Sequence, residues 1–385
     1  MLIRGTPFQA ISSLIHGQYL MVLSSLLLSF LISVNARAEV VENLYQQSEL
    51  VVDQSAQARQ QAAQLALGKV LVRVSGLASL LDLPSIQQAL SKSQSFVEAY
   101  RYESTDEIIV QNEQERSASR LVLSFSRMGV ERLLREQHAP LWPANRPSVL
   151  VWLVKDNLSV GRELVSLNDS SELSEVASGI SQLRGLPVVL PSLDLQDLLG
   201  INADQVWTLD QAAIIEASAR YQADVILVGR YTQASNGRWL SAWTLLHKQH
   251  QQVFDVDTAE EGALVAEGLN AATDFLASIY SISSLGGATE SVTIEVQQVN
   301  GFTDYVQVLN YLDSLEVVRQ LDLVSLERQS VKLRVTMEGE IHSLTDALEL
   351  DRRLQLQTAP TDSHIPSNLE PLGSDENPLR YRWPS

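Results

Sequence analysis

Asp194 and Asp197 in "SLDLQDLL" stand three residues apart, a spacing that puts two carboxylates on one face of a helix. Paired carboxylates do general acid–base work, so these two are the candidate catalytic residues of a hydrolase. The same letters also spell an N-cap followed by a first-turn acid, and that reading is favoured. "HKQH" offers His247 and His250 as metal ligands. Three apart on a strand, they are expected to point to opposite faces and to hold no common ion. "DVDTAEE" (255–261) resembles a cation cluster, yet Thr258 and Glu261 fit a capping box better. Trp207, Trp239 and Trp243 would suit a sugar or peptidoglycan site if their rings were exposed. Trp239 and Trp243, four apart on a strand, share a face, and core packing is their plainer use.

Arg73, within "GKVLVRVSG" (68–76), is the last candidate. A lone arginine without an accompanying anion-binding motif reads as structural, snorkelling or bridging to a neighbouring element. Its surroundings settle the local fold. Ala58, Ala62, Ala66, Val70 and Val74 recur every four residues, so "GKVLVRVSG" ends a helix and Gly76 caps it. Signatures for nucleotides (G-x-G-x-x-G, G-x-x-x-x-G-K-[ST]) and for hydrolases (G-x-S-x-G, H-E-x-x-H) are missing from the sequence. There is no cysteine, which excludes thiol nucleophiles, disulfides and lipidation at a cysteine. No cofactor or metal is expected, and the chain leans away from being an enzyme.

Composition bounds the rest. A 385-residue chain with 45% apolar residues exceeds one typical core and belongs to the globular class. "MVLSSLLLSFLISV" (21–34) followed by "ARA" (36–38) reads as an export signal cut between Ala38 and Glu39. The run is too short for a spanning helix, which needs about 20 apolar residues. Its leading stretch fits less well, with Arg4 as the one fixed positive charge, and a start at Met21 or a retained anchor are the alternatives. Of the 28 basic residues only Arg4 and Arg37 fall in 1–38, so the mature chain carries 26 against 46 acidic ones, a net charge of −20. Such a surface repels phosphate backbones and anionic headgroups, so nucleic acid is not an expected partner.

The elements fall into an α+β fold class, three small modules in series. Residues 39–137 form an N-terminal α+β domain: a strand near Val40–Tyr45, the alanine-rich helix, and a helix from Pro84 whose face includes Ile86, Leu90, Val97 and Tyr100. Two strands and a short helix complete it. "HAPLWPANRP" (138–147) reads as a proline-rich linker. Residues 148–282 form a middle α/β domain, a mixed sheet flanked by helices. After "SSLGGATE" (283–290), residues 289–356 give a βαββα ferredoxin-like module. Residues 359–385 hold five of the twelve prolines without periodicity and read as a disordered tail, with "RYRWPS" a docking peptide within it.

"ARQQAAQLALGKVLVRVSG", "RPSVLVWLV", "LPVVLPSLDLQD", "ASARYQADVILVGRY" and "GRWLSAWTL" resemble, in order, stretches of DUF2066, an uncharacterised family of exported proteobacterial proteins. The resemblance covers most of 40–355 and implies a periplasmic location, without catalytic residues. "ADVILVGRY" with its flanking elements is similar to the α/β domain of curli-secretion and penicillin-binding-protein activator lipoproteins, and the first helix to the flagellar T-ring component. These likenesses imply a non-catalytic adaptor or assembly factor with envelope proteins as partners. A periplasmic hydrolase or a sugar binder is the alternative. No transmembrane segment is expected after cleavage, and the oligomeric state is left open.

Overall fold

In the computed structural model, Ser55 caps helix α1 (Ala56–Ser75), accepting from Ala58 N at 3.1 Å, and Gly76 ends it in the left-handed conformation. The structure describes residues 39–111, 114–168, 171–248, 250–282, 289–357 and 371–384. The signal-peptide expectation for 1–38, Ala38 included, lies outside these, as does most of "SSLGGATE".

Strand β1 (Glu39–Val40) is followed by a turn, so the expected strand at 40–45 begins later, as β2 (Gln46–Val51). Helix α2 (Pro84–Ser91) starts at the proline but stops short of Val97 and Tyr100. A 3-10 turn at Ser93–Phe96 ends the helical path, and those two residues open the strand β3 (Val97–Gln111). β3 and β4 (Gln114–Phe125) make a long hairpin, and β2 completes a sheet of order β2-β4-β3. Leu121 and Leu123 of β4 pack on Ala63, Leu67 and Val70 of α1, and α3 (Arg127–Glu136) closes that core.

Residues 138–147 are not a free linker. Trp142 and Arg146 are fully buried, and Asn145–Arg146 form β5, paired with β1. Pro-rich chain segments usually run over the surface, but here Arg146 and the Ala144 N–H find partners in other modules.

The middle module is a three-layer sandwich. Its sheet runs β11-β10-β9-β6-β7, with β8 beside β6. These strands are β6 (Val149–Asn157), β7 (Gly161–Leu164), β8 (Val188–Val189), β9 (Val225–Gln233), β10 (Trp239–His247) and β11 (His250–Thr258). β6 and β9 are parallel and buried, which is why "VLVWLV" shows no polar alternation. Val149, Val151 and Leu153 face α4 (Glu172–Arg184) and α8 (Glu261–Tyr280). Leu150, Trp152 and Val154 face the short helices α5 (Leu195–Gly200), α6 (Ala203–Trp207) and α7 (Gln211–Ser218).

In the last module β12 (Thr289–Gln297), α9 (Phe302–Asp313), β13 (Val318–Glu327), β14 (Ser330–Glu338) and α10 (Ile341–Asp351) follow the expected βαββα order. β14 lies between β12 and β13, a split βαβ arrangement. The expectation of a disordered tail fails over the described part of it. Leu379–Arg382 form β16, inserted between β12 and β15 (Gln355–Leu356) and parallel to β12. Leu379 and Tyr381 are buried, and Trp383 packs against the same core. "RYRWPS" therefore supplies a strand of its own sheet instead of a free docking peptide. The three modules belong to one compact unit, residues 38–385.

Candidate functional site

The two candidate acids come together, but in a locked form. Asp194 Oδ1 caps α5 by accepting from Asp197 N at 3.1 Å. Arg220 donates to Asp194 Oδ1 at 2.8 Å, to Asp194 Oδ2 at 2.9 Å and to Asp197 Oδ1 at 2.9 Å. Tyr221 OH donates to Asp197 Oδ2 at 2.5 Å, and Asp197 is buried beneath it. The Arg220 hydrogen bonds hold the Asp194 carboxyl down at about 2. A carboxylate so held is a poor proton donor or acceptor near neutrality. The pair works as cap and anchor.

His247 and His250 are directly opposed across the β10–β11 hairpin and so share a sheet face, contrary to the expectation for one continuous strand. His247 is buried against Tyr280 OH at 2.6 Å and Asp224 O at 3.1 Å, while His250 is exposed. Among the described residues, no group of three or more His, Asp or Glu could hold a metal ion. The Thr258–Glu261 capping box does not form. Glu260 is the N-cap of α8, and Glu261 binds Lys155 at 2.8 Å and Tyr231 OH at 2.9 Å. Trp243 is in the core, with Gly229 and Gly268 against its ring. Half-buried Trp239 packs on that same core and Trp207 on the opposite one, so the three rings line no common cleft.

Arg73 leads to the feature that single-residue reasoning missed. It is one of three buried arginines at the module junction, with Arg146 and Arg184. Arg146 donates to the carbonyls of Pro143 (2.9 Å), Arg184 (2.8 Å), Gly185 (3.0 Å), Arg73 (2.8 Å) and Trp142 (3.1 Å). Its guanidinium also lies 4.0 Å from the Trp142 ring centroid. Arg184 reaches Gly76 O (3.0 Å), Asn270 Oδ1 (2.6 Å) and Asp274 Oδ1 (2.5 Å). Thus the C-termini of α1 and α4, whose last carbonyls lack helical partners, are satisfied by arginines from across the junction. Burial pulls the Arg146 pKa down to about 9 and lowers that of Arg73, though both stay charged near neutrality. Glu316 ties in the third module, accepting from Ala144 N at 2.8 Å and Arg127 at 3.1 Å.

Beside this hub opens a cleft of about 940 Å³ between the β2 edge and the last turn of α4. Gln46, Gln47, Lys69, Arg73, Arg101 and Arg120 contribute from the first module, and Ser181–Leu183 and Gly185–Pro187 from the second. A sequence signal for it existed only in part. The cations are visible, but their convergence depends on the β2-β4-β3 register, which brings Arg101 opposite Val122 and beside Arg120.

A family model described as a domain of unknown function, DUF8605, matches residues 38–143. That span takes in the first module and reaches the buried Trp142. Curated proteins give no match to the chain. Among the described residues no helix is long and apolar enough to cross a membrane.

Proposed function

We propose that the chain is a non-catalytic adaptor or assembly factor of the bacterial envelope, exported and cut between Ala38 and Glu39, and that it works in the periplasm with other envelope proteins. The junction cleft carries this reading: its walls come from two modules held together by buried arginines, and such inter-module clefts are where binding sites concentrate. The apolar run and "ARA" support the export step, and the resemblance to DUF2066 and to envelope accessory proteins supports the location. The hydrolase alternative loses ground because Arg220 and Tyr221 occupy both carboxylates. Cross-linking in intact cells, followed by purification and N-terminal sequencing, tests the reading. A chain beginning at Glu39 with a discrete cross-linked partner is expected. Full-length protein in the cytoplasm, or a periplasmic chain without an adduct, would overturn it.

A further inference from the structure

Cations along the junction cleft are of two kinds. Lys69 and Arg101 pair with Glu49 and Glu103, each at 2.8 Å, and Arg120 pairs with Glu107. Arg73 has no carboxylate among the contacts it makes. Its donors go to the carbonyls of Gln46 (2.8 Å) and Leu183 (3.4 Å) and to the Gln47 amide oxygen, all neutral, and it is 7% exposed. Behind it, Arg146 binds carbonyls alone, and the carboxylate on Arg184 belongs to an Asp274 side chain that is 58% exposed. Three guanidinium charges at the hub therefore face Asp274, a share of Glu316 and two helix C-termini worth roughly half a negative charge each. Glu316, the other acid near Arg146, is shared with Arg127. A chain with a large acidic excess thus keeps Arg73, without a carboxylate partner, at the base of a cleft lined by four cations, Lys69, Arg73, Arg101 and Arg120, against two acids, Glu42 and Glu103.

We propose that this cleft binds an oxyanion: the carboxylate or phosphate group of a small ligand enters between β2 and the end of α4, takes Arg73 as its deepest partner, and is flanked by Lys69 and Arg120. The assignment deepens the adaptor reading and rests on it, since it names the chemistry that the junction holds. Arg73 is suited to the task because a guanidinium offers parallel donors to a planar or tetrahedral oxyanion. The incoming oxygen replaces the Gln47 amide oxygen on Nη2, exchanging a neutral acceptor for a charged one. Lys69 stands one helical turn before Arg73 on α1 and lines the same cleft.

Isothermal titration of the purified protein with citrate and, separately, inorganic pyrophosphate tests this, at fixed ionic strength so that general screening is constant. Saturable one-to-one binding of at least one anion is expected, and the comparison separates a carboxylate ligand from a phosphate ligand. Arg73→Gln should weaken binding at least about tenfold. Because Arg73 is buried and its replacement puts folding at risk, the double variant Lys69→Gln/Arg120→Gln, on half-buried positions, gives an independent reading with a similar loss. No binding of either anion, or binding unchanged in the double variant, would overturn the proposal. If that happened while a cross-linked partner still formed, the oxyanion site would fall and the adaptor reading would stand. Anion binding without any partner in cells would do the reverse.

Discussion

A guanidinium has five N–H groups, and Arg146 directs its own to five main-chain carbonyls at the module junction. Removing it leaves those carbonyls buried without donors, at about 1–3 kcal/mol for each that water cannot reach. Arg146→Met is therefore expected to destabilise the protein by at least ~3 kcal/mol, read as a fall in the denaturation midpoint. Gly185 is a second check on the same contact. Its φ is +64°, and a Cβ there would lie 2.6 Å from Arg146 Nη1, so Gly185→Ala should cost about 1–3 kcal/mol. An unchanged midpoint in either variant would mean that the junction is looser than described. None of this was legible from the sequence, because main-chain carbonyls leave no signature there. The sequence offers Arg73 as a residue bridging to a neighbouring element, but its partners are the Gln47 amide and backbone carbonyls as far away as Leu183. His247 yields a prediction of a different kind. Burial lowers its pKa from the usual 6.5, with the Asp224 carbonyl opposing and the neighbouring Lys248 and His250 reinforcing the fall. The unfolded chain then takes up a proton first, so stability is full above pH about 6.5 and declines as pH drops below it. His247→Asn should flatten the pH dependence of the midpoint below about pH 6.5. A slope identical to that of the wild type would assign it to other groups.

At the scale of elements, legibility followed local repetition. α1 could be read from its four-residue alanine and valine stripe, and its end from Gly76, where a Cβ would come within 2.5 Å of Ala277. β6 could be read from its continuous apolar run because both of its faces are covered. Val97 and Tyr100 misled because their spacing from Leu90 suits a helix, while the 3-10 turn before them has no strong marker. β16 was missed for a stronger reason. A four-residue strand among prolines has no period of its own, and its partners in β12 lie more than eighty residues earlier. The described part of the expected disordered tail is thus a strand that the sheet uses. Ending the chain after Gln357 removes Leu379 and Tyr381 from the core, each worth about 1.5–3 kcal/mol, and unpairs one edge of β12. Thermal unfolding of the shortened chain should show a clear loss of stability in the third module. Wild-type stability after truncation would mean that β16 is only loosely placed.

For the molecule as a whole, the junction has two sides, one structural and one proposed. It fixes three modules in one body, and under the proposed adaptor role the cleft between the first two is the surface offered to a partner. Asn145 to Ala347 O (3.3 Å), Arg352 to Asp224 (2.7 Å) and Lys248 to Glu349 (2.9 Å) add to the arginine hub, so each module is tied to another. These rim contacts are individually modest. Coupling rests mainly on the buried guanidinium groups. The fold class was legible in the sequence, whereas the surface at which modules meet was not, since it exists only after three separate chains of contacts converge. The most direct test is site-specific photo-cross-linking in intact cells, with the photoreactive residue at Gln182 on the exposed rim of the cleft or, for comparison, at Leu158 on an exposed turn of the middle module. A discrete adduct from position 182, absent from position 158, is the predicted result. Adducts from 158 alone, or from neither position, would contradict the claim that the junction cleft is the working surface.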